Sequence, residues 1–421
     1  MYRYIIIGNS ASGISAVEAI RKKDKSSSIL VISDEDYPSY LRCLISYYLA
    51  GDIKKDKLIY RPQDFYKDNN IDLILNKKVV KVEPKKNRIV LEDKTQLNYD
   101  KLLIATGSSP YFPQIPGVRK KGVFGFRTIK DTEEILRLLT TTKTACILGG
   151  GLIGLKAAYA LHKHNIEVKV IVKSKQVLSQ MLDPLAASFI QKKLEENGIE
   201  VIFGQDVVEI IGNGDVKAVK LESGKIIGCS LVIVAKGIRP NIDLIKDTEI
   251  KFNEGIVANE YMQTNIPNIY TAGDVCESFD LVLNKYNINA LWPIAIEQGR
   301  YAGENMTGEN LKYPGSLGMN SLEFFGLAVI SLGIYRIKEE ESSFEEIKFL
   351  DEKNNIYKKL IIKDKRLVGA ILVGDIKNSG IFLRLIKEKI DISSIKDKLL
   401  KENFGYPFVK DLLKEKEVIY V

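Results

Sequence analysis

Two stretches of the chain repeat one design: a short apolar strand, a glycine turn and a helix. The first is "YIIIGNSASGISAVEAIR", with its strand at residues 4–7, the turn Gly8-Asn-Ser-Ala-Ser-Gly13 and an amphipathic helix beyond. The strand "SILVIS" that follows ends in Asp34-Glu35. The second is "ACILGGGLIGLKAAYALHKHNIEVKVIVK", in which Gly149, Gly151 and Gly154 give a full G-x-G-x-x-G between two strands. In such a unit the first glycine permits the tight turn and the last lets helix and strand pack closely. The helix N-terminus then faces a pyrophosphate, and an acid at the end of the next strand reaches a ribose hydroxyl. Ser10 stands where the first turn would have its middle glycine, so that copy is imperfect, whereas the second sits in its full context. The pair predicts an α/β fold with two Rossmann-like dinucleotide-binding domains, one dinucleotide held and one exchanging.

With 421 residues the chain is long enough for two or three domains, and 45% apolar residues supply their cores. No apolar run approaches the ~20 residues of a membrane span. "MYRYIIIG" is a short apolar run stopped by glycine, which reads as a buried strand and not a signal peptide. A cytoplasmic protein with no membrane contact is expected. Lys and Arg number 62 against 54 Asp and Glu, a net charge of +8, but the lysines are scattered. No basic stripe with interleaved aromatics points to nucleic acid. A mildly positive face would still speed encounters with an acidic partner.

The cysteines stand at 43, 146, 229 and 276 with no C-x-x-C, which argues against a zinc ribbon, an iron–sulfur site or a dithiol. No metal site is expected. Cys146 and Cys229 lie in or beside apolar strand-like runs and read as core thiols. Thiol chemistry therefore rests on Cys43, within "YLRCLISYYLAG" (40–51). Neighbouring Arg42 would lower its pKa and favour a nucleophilic thiolate; the competing reading is a small filler residue in a pocket.

Two further stretches, "YDKLLIATGSSP" (99–110) and "IPNIYTAGDV" (266–275), are strands running into small-residue loops, the second carrying Gly273-Asp274. Together with the glycine turns they resemble the two-dinucleotide-binding flavoproteins of the pyridine nucleotide–disulfide oxidoreductase superfamily. The resemblance implies an FAD domain split between residues 1–109 and 241–313, with an NAD(P) domain inserted at 110–240. Residues 314–421 would form a C-terminal α+β domain, where "IYKKLIIKD" and "RLVGAILVGD" alternate as sheet strands do.

Disulfide reductases of the glutathione reductase type carry CxxxxC near the start and a His-Pro…Glu dyad near the end, and this sequence has neither. Its two histidines, His162 and His164, fall at the expected end of the second Rossmann helix, capping it or facing solvent. "YLRCLISYYLAG", "LWPIAIEQGRYAGENMTG" (291–308) and "MNSLEFFGLAVISLG" (319–333) resemble another branch. It contains NADH:rubredoxin oxidoreductases and the flavin domain of assimilatory nitrite reductase. That resemblance implies FAD contacts from the Gly8, Ser10 and Gly13 turn, from Arg42 and Arg127, and from Asp34 at the adenosine ribose. It also places Val79 by the adenine, Thr106 and Gly107 by the pyrophosphate, and Asp274 by the ribityl chain. Trp292 and Pro293 would open a helix pointing at the flavin. On the NAD(P) side it implies Gly149, Gly151, Ile153, Gly154 and Gly237, with Lys173 at the strand end where an acid would favour NAD and a cation tolerates NADP.

Two positions depart from the branch. Tyr47 stands where relatives often have lysine, and Lys156 where they often have glutamate, so an ion pair beside the flavin cannot form there. The implied activity is hydride exchange between NAD(P)H and FAD, with single electrons passing to a small acidic carrier of rubredoxin or ferredoxin type. A homodimer or membership of a larger redox complex is compatible with it. A single-cysteine CoA-disulfide reductase or NADH oxidase is the alternative. Ser39, Cys43, Tyr47 and Tyr48 fit its frame, although Leu44 and Ser46 replace a Gly and a Pro. A flavoprotein that senses redox state without turnover is a third reading.

Overall fold

A computed structural model describes residues 1–337 and 343–417 of the chain. Strands Ile71–Ile74, Ile29–Ile32, Tyr2–Ile7 and Gln96–Ile104 lie side by side in that order. All four run parallel, and Ile269–Thr271 joins Gln96–Ile104 as a further parallel neighbour. The first half of Gln96–Ile104 continues into an antiparallel hairpin with Arg88–Leu91 and Val79–Glu83. Strand Tyr2–Ile7 is an unbroken apolar run over most of its length because both faces are covered. Tyr4, Ile6 and Leu103 pack towards helix Ala11–Lys23, while Ile5, Ile7, Leu102 and Ile104 pack towards Val79, Val82 and Ile89. Helix Trp292–Met306 lies against Ala11–Lys23, close enough that a Cβ on Gly299 would sit 2.2 Å from the Ser12 carbonyl oxygen.

A second parallel sheet has the order Glu200–Phe203, Glu167–Val172, Thr144–Leu148, Leu231–Val234, Val123–Phe124. Its strands alternate in the same way. Cys146, Leu148, Ile171 and Val232 face a small antiparallel sheet, and Ala145, Ile147, Val170 and Ile233 face helices Leu152–His162 and Pro184–Glu196. Cys146 and Cys229 are buried, as expected of core thiols.

The third sheet is wholly antiparallel, in the order Met319–Phe324, Leu327–Gly333, Arg366–Val373, Ile356–Lys363, Phe344–Asp351. One face packs on helix Ser379–Lys387 through Phe382, Leu385 and Ile386. The other shares a core with the second sheet: Leu322, Phe324, Tyr357 and Val373 join Ile45, Leu49, Leu155 and Val170. The third sheet is therefore a wall of the same core that supports the second glycine turn. No helix among the described residues is long and apolar enough to cross a membrane.

Candidate functional site

The first glycine turn is built by close backbone contacts. Gly8 has φ +122°, and a Cβ there would lie 2.1 Å from the Ala105 carbonyl oxygen; one on Gly13 would lie 1.9 Å from the Gly8 carbonyl oxygen. Larger residues would push apart the strand ends that Ala105 and Gly8 join. Ser10 occupies the N-cap of Ala11–Lys23 without capping it, and the first helical turn carries no acid. The positive end of that helix is left free for an anion. Beside it, Thr106 donates to the Asn241 carbonyl at 2.8 Å, and Gly107, at φ +65°, has no atom within 4 Å of where a Cβ would stand.

Arg42 reaches this turn from the segment between Tyr40 and Leu44. Its Nε donates to Ser10 Oγ at 3.3 Å, its Nη2 pairs with Glu35, and its guanidinium stacks 4.8 Å from the Tyr40 ring centroid. Tyr40 in turn donates to Glu35 at 2.6 Å. The acid that organises Arg42 is therefore Glu35, one residue beyond the predicted Asp34, which is exposed at the strand end.

Beneath the turn, Tyr66 donates to Asn9 Oδ1 at 2.7 Å and accepts from the Ser39 amide at 3.2 Å. Asn9 Nδ2 and Ser39 Oγ are buried with no hydrogen-bond partner among the described residues. Buried polar atoms are rarely left so. With the uncapped helix end, the guanidinium and the open space over Gly107, they fit a dinucleotide pyrophosphate and its sugar. Sequence reasoning did not single out Asn9 or Tyr66 and named Ser39 only for the single-cysteine frame, because their contact arises only where three separated segments meet.

Arg127 pairs with Asp274 and donates from Nε to the Ser108 carbonyl at 2.6 Å. Ser108 Oγ donates to the same carboxylate at 3.0 Å. Gly273, at φ +83°, donates its amide to the buried Gln298 Oε1 at 2.8 Å, which aims Asp274 outward from the strand end. Helix Trp292–Met306 begins here as expected, with Trp292 and Pro293 in its first turn and no acid. Trp292 is half-buried and meets Tyr60 edge to face at 5.4 Å. Val79 is buried at the start of its hairpin strand.

The second glycine turn is similar. Gly149 has φ +120° and a Cβ there would meet the Ala235 carbonyl oxygen at 2.3 Å. Gly151 is the N-cap of Leu152–His162 with open space above it, Gly154 packs on the Gly149 carbonyl, and Ile153 is exposed beside them. Gly237, at φ +102°, also faces open space, and adjacent Lys236 pairs with Asp206 at 2.5 Å. Lys173 is exposed past the end of Glu167–Val172 and stands 3.7 Å from Glu222.

Between the two turns, Lys156 Nζ stands 5.1 Å from the Tyr47 ring centroid and 5.2 Å from that of Phe324, and donates to the Glu323 carbonyl at 3.4 Å. The two departing positions still meet, as a cation over an aromatic face in place of an ion pair.

Cys43 is exposed and not buried as a filler. Enough protein surrounds its sulfur that burial pushes the thiol up, and the expected activation by Arg42 is not met because Glu35 engages that guanidinium. His162 ends its helix with its ring against Phe325, and His164 Nε2 lies 2.6 Å from the Leu49 carbonyl oxygen. Among the described residues no cluster could hold a metal ion.

Residues 2–299 match the family model "Pyridine nucleotide-disulphide oxidoreductase", and 319–390 match "Rubredoxin NAD+ reductase C-terminal domain". The NADH oxidase of Methanocaldococcus jannaschii is 34% identical over 413 residues, covering 93% of this chain and 90% of that protein. The assimilatory nitrate reductase electron transfer subunit of Bacillus subtilis is 32% identical over 412 residues, 97% of this chain. The chain spans about half the length of that relative and of the Bacillus subtilis nitrite reductase. The solved NAD-dependent persulfide reductase from A. fulgidus superposes with a TM-score of 0.87 at 28% identity, covering 96% of this chain and 80% of that one.

Proposed function

This chain belongs to the pyridine nucleotide-disulphide oxidoreductase family, and we propose that it passes electrons from NAD(P)H through FAD to a small acidic iron–sulfur carrier protein of rubredoxin or ferredoxin type. FAD supplies the chemistry when bound, taking a hydride and releasing its two electrons singly. The chain's residues bind and orient. The Gly8–Gly13 turn, Thr106 and Gly107 hold the pyrophosphate, Arg42 neutralises it, Asp34 takes the adenosine ribose and Val79 lies by the adenine. Asp274, steadied by Arg127, takes the ribityl hydroxyls, and the helix end at Trp292 and Pro293 favours negative charge on the reduced ring. Gly149, Gly151, Ile153, Gly154, Gly237 and Lys173 receive the nicotinamide nucleotide. In this reading residues 1–109 and 241–313 form the FAD domain, 110–240 the NAD(P) domain and 314–421 the third domain. A cytoplasmic site of action, as a homodimer or a subunit of a larger complex, belongs to the same reading.

One observation carries the choice of a protein acceptor over thiol chemistry: the Arg42 guanidinium engages Glu35 and Ser10 beside the first glycine turn and not the Cys43 sulfur, whose pKa the protein packed around it raises. A thiolate nucleophile needs the opposite. The match of residues 319–390 to a rubredoxin reductase domain supports the same reading. The exposed thiol of Cys43 and the likeness to a persulfide reductase favour CoA-disulfide or persulfide reduction as a second reading.

Anaerobic stopped-flow separates the two. NAD(P)H should bleach the flavin, and rubredoxin or ferredoxin should reoxidise it at least about a hundredfold faster than CoA disulfide does, ~2.7 kcal/mol in barrier. A protein that takes up no FAD, or one whose reduced flavin ignores both carriers but reduces CoA disulfide, overturns the reading.

A further inference from the structure

The loop that follows strand Glu167–Val172 is held in place by the third sheet. Arg336, just past strand Leu327–Gly333, donates from Nη2 to Gln176 Oε1 at 3.1 Å. Gln176 passes that restraint along the loop: its Nε2 donates to the Leu182 carbonyl at 3.1 Å, and its own carbonyl accepts from Ser174 Oγ at 2.7 Å. Ser331 Oγ donates to the Met181 carbonyl at 2.6 Å. At the far end, Asp183 accepts from Tyr357 at 2.8 Å and lies 3.3 Å from the Lys359 ammonium. The loop in turn touches the second glycine turn, where the Leu178 amide donates to the Gly150 carbonyl at 2.8 Å.

The start of this loop is cationic, and its one acid, Asp183 at the far end, is engaged by Tyr357 and Lys359. The strand runs into Lys173-Ser174-Lys175, with no acid where one would bind a ribose 2′-hydroxyl. Through Gln176, Arg336 brings a third cation to this loop. Among the described residues no carboxylate lies in ion-pair range of Lys175 or Arg336, and Lys173 has only the exposed Glu222 at 3.7 Å. A guanidinium has five N–H donors, and Gln176 engages one of them here. The rest form the planar fork that suits phosphate oxygens.

We propose that Arg336 is a specificity residue for the nicotinamide nucleotide: held by Gln176, it joins Lys173 and Lys175 in receiving the 2′-phosphate of NADPH, so that the C-terminal sheet takes part in choosing between NADPH and NADH. The inference rests on the reading of Gly149–Lys173 as the NAD(P) site. Sequence spacing alone could not reach it, because Arg336 lies far along the chain from the strand end it serves.

Calorimetric titration of the FAD-loaded full chain with 2′,5′-ADP and with 5′-ADP tests it. Arg336→Gln should weaken 2′,5′-ADP about tenfold, one charge-assisted contact, and leave 5′-ADP within about twofold. Arg336→Lys should recover part of the loss, and the NADPH-to-NADH ratio of kcat/KM should fall by the same factor. Equal weakening of both ligands would make Arg336 only a support for the loop, and no weakening of either would leave it without a role; each overturns the proposal. Failure of the wild type to bind 5′-ADP at all would instead sink the reading of the nucleotide site, and this inference with it.

Discussion

The guanidinium of Arg127 and the carboxylate of Asp274 meet as an ion pair across 147 residues of sequence, and Ser108 joins both. In the proposed reading the pair steadies the carboxylate that takes the ribityl hydroxyls. Its side chains are mostly shielded from water, so losing one partner leaves the other poorly compensated. Arg127→Met should therefore raise the FAD dissociation constant about tenfold, ~1.4 kcal/mol, measured by fluorescence of released flavin. An unchanged constant would show that the pair does nothing for cofactor retention.

Cys43→Ser should retain dye and carrier reductase activity within about threefold, ~0.7 kcal/mol in barrier. Because burial raises the thiol pKa, the wild-type thiol should also react with iodoacetamide more slowly at pH 7 than a free cysteine, its rate rising only as pH approaches the raised value. Loss of more than about a hundredfold in the variant, with FAD still bound, would make the protein a thiol-based reductase.

Lys359 is only 4% exposed, and its ammonium lies between Asp183 of the second unit and Glu346 of the third sheet. Lys359→Ala should cost about 3 kcal/mol in chemical denaturation, since it strands a buried carboxylate. Tyr357→Phe removes a single hydrogen bond to Asp183 and should cost about 1 kcal/mol. Equal effects from the two variants would mean that Asp183 finds other compensation.

Asp24 follows the first Rossmann helix. Burial pushes its carboxyl up, but hydrogen bonds from Ser27, Ser26 and Tyr4 outweigh that and hold it at about 2. A folded pKa below the unfolded value gives stability that is present above about pH 4 and lost as pH falls towards 2. Asp24→Ala should therefore be less stable than wild type at pH 7, and the two should converge in acid. A gap that stays constant from pH 7 to 3 would place the contribution elsewhere.

With a net charge of +8, reduction of an acidic carrier should slow as salt rises and the Debye length shrinks from ~10 Å at 0.1 M. Stopped-flow rates that stay flat between low and high salt would remove charge steering from the account.

The parts of the molecule legible in its sequence are those whose physics is local. A glycine at φ +122° against a neighbouring carbonyl, as at Gly8, leaves a fixed spacing to the helix that follows. Strands covered on both faces, such as the second half of Tyr2–Ile7 and Leu231–Val234, must be apolar there. The hairpin of Ile356–Lys363 and Arg366–Val373 was legible as sheet. Its strands are buried in near-continuous runs and not in alternation, because both faces of the third sheet are covered. Trp292 and Pro293 announce a helix start because proline suits the first turn.

Partnership between distant side chains was decided only by the tertiary structure. Arg42 lies one residue from Cys43, which suggests an activated thiol, yet the turn that carries it sends the guanidinium to Glu35 and Ser10. Tyr47 and Lys156 look like the loss of an ion pair, and in three dimensions they remain in contact. Arg336 meets Gln176 only because the third sheet shares a core with the second. Spacing along the chain sets which backbone turns can form. Which charge meets which depends on side-chain direction and on segments brought together by burial, and neither is encoded within any one stretch of the sequence.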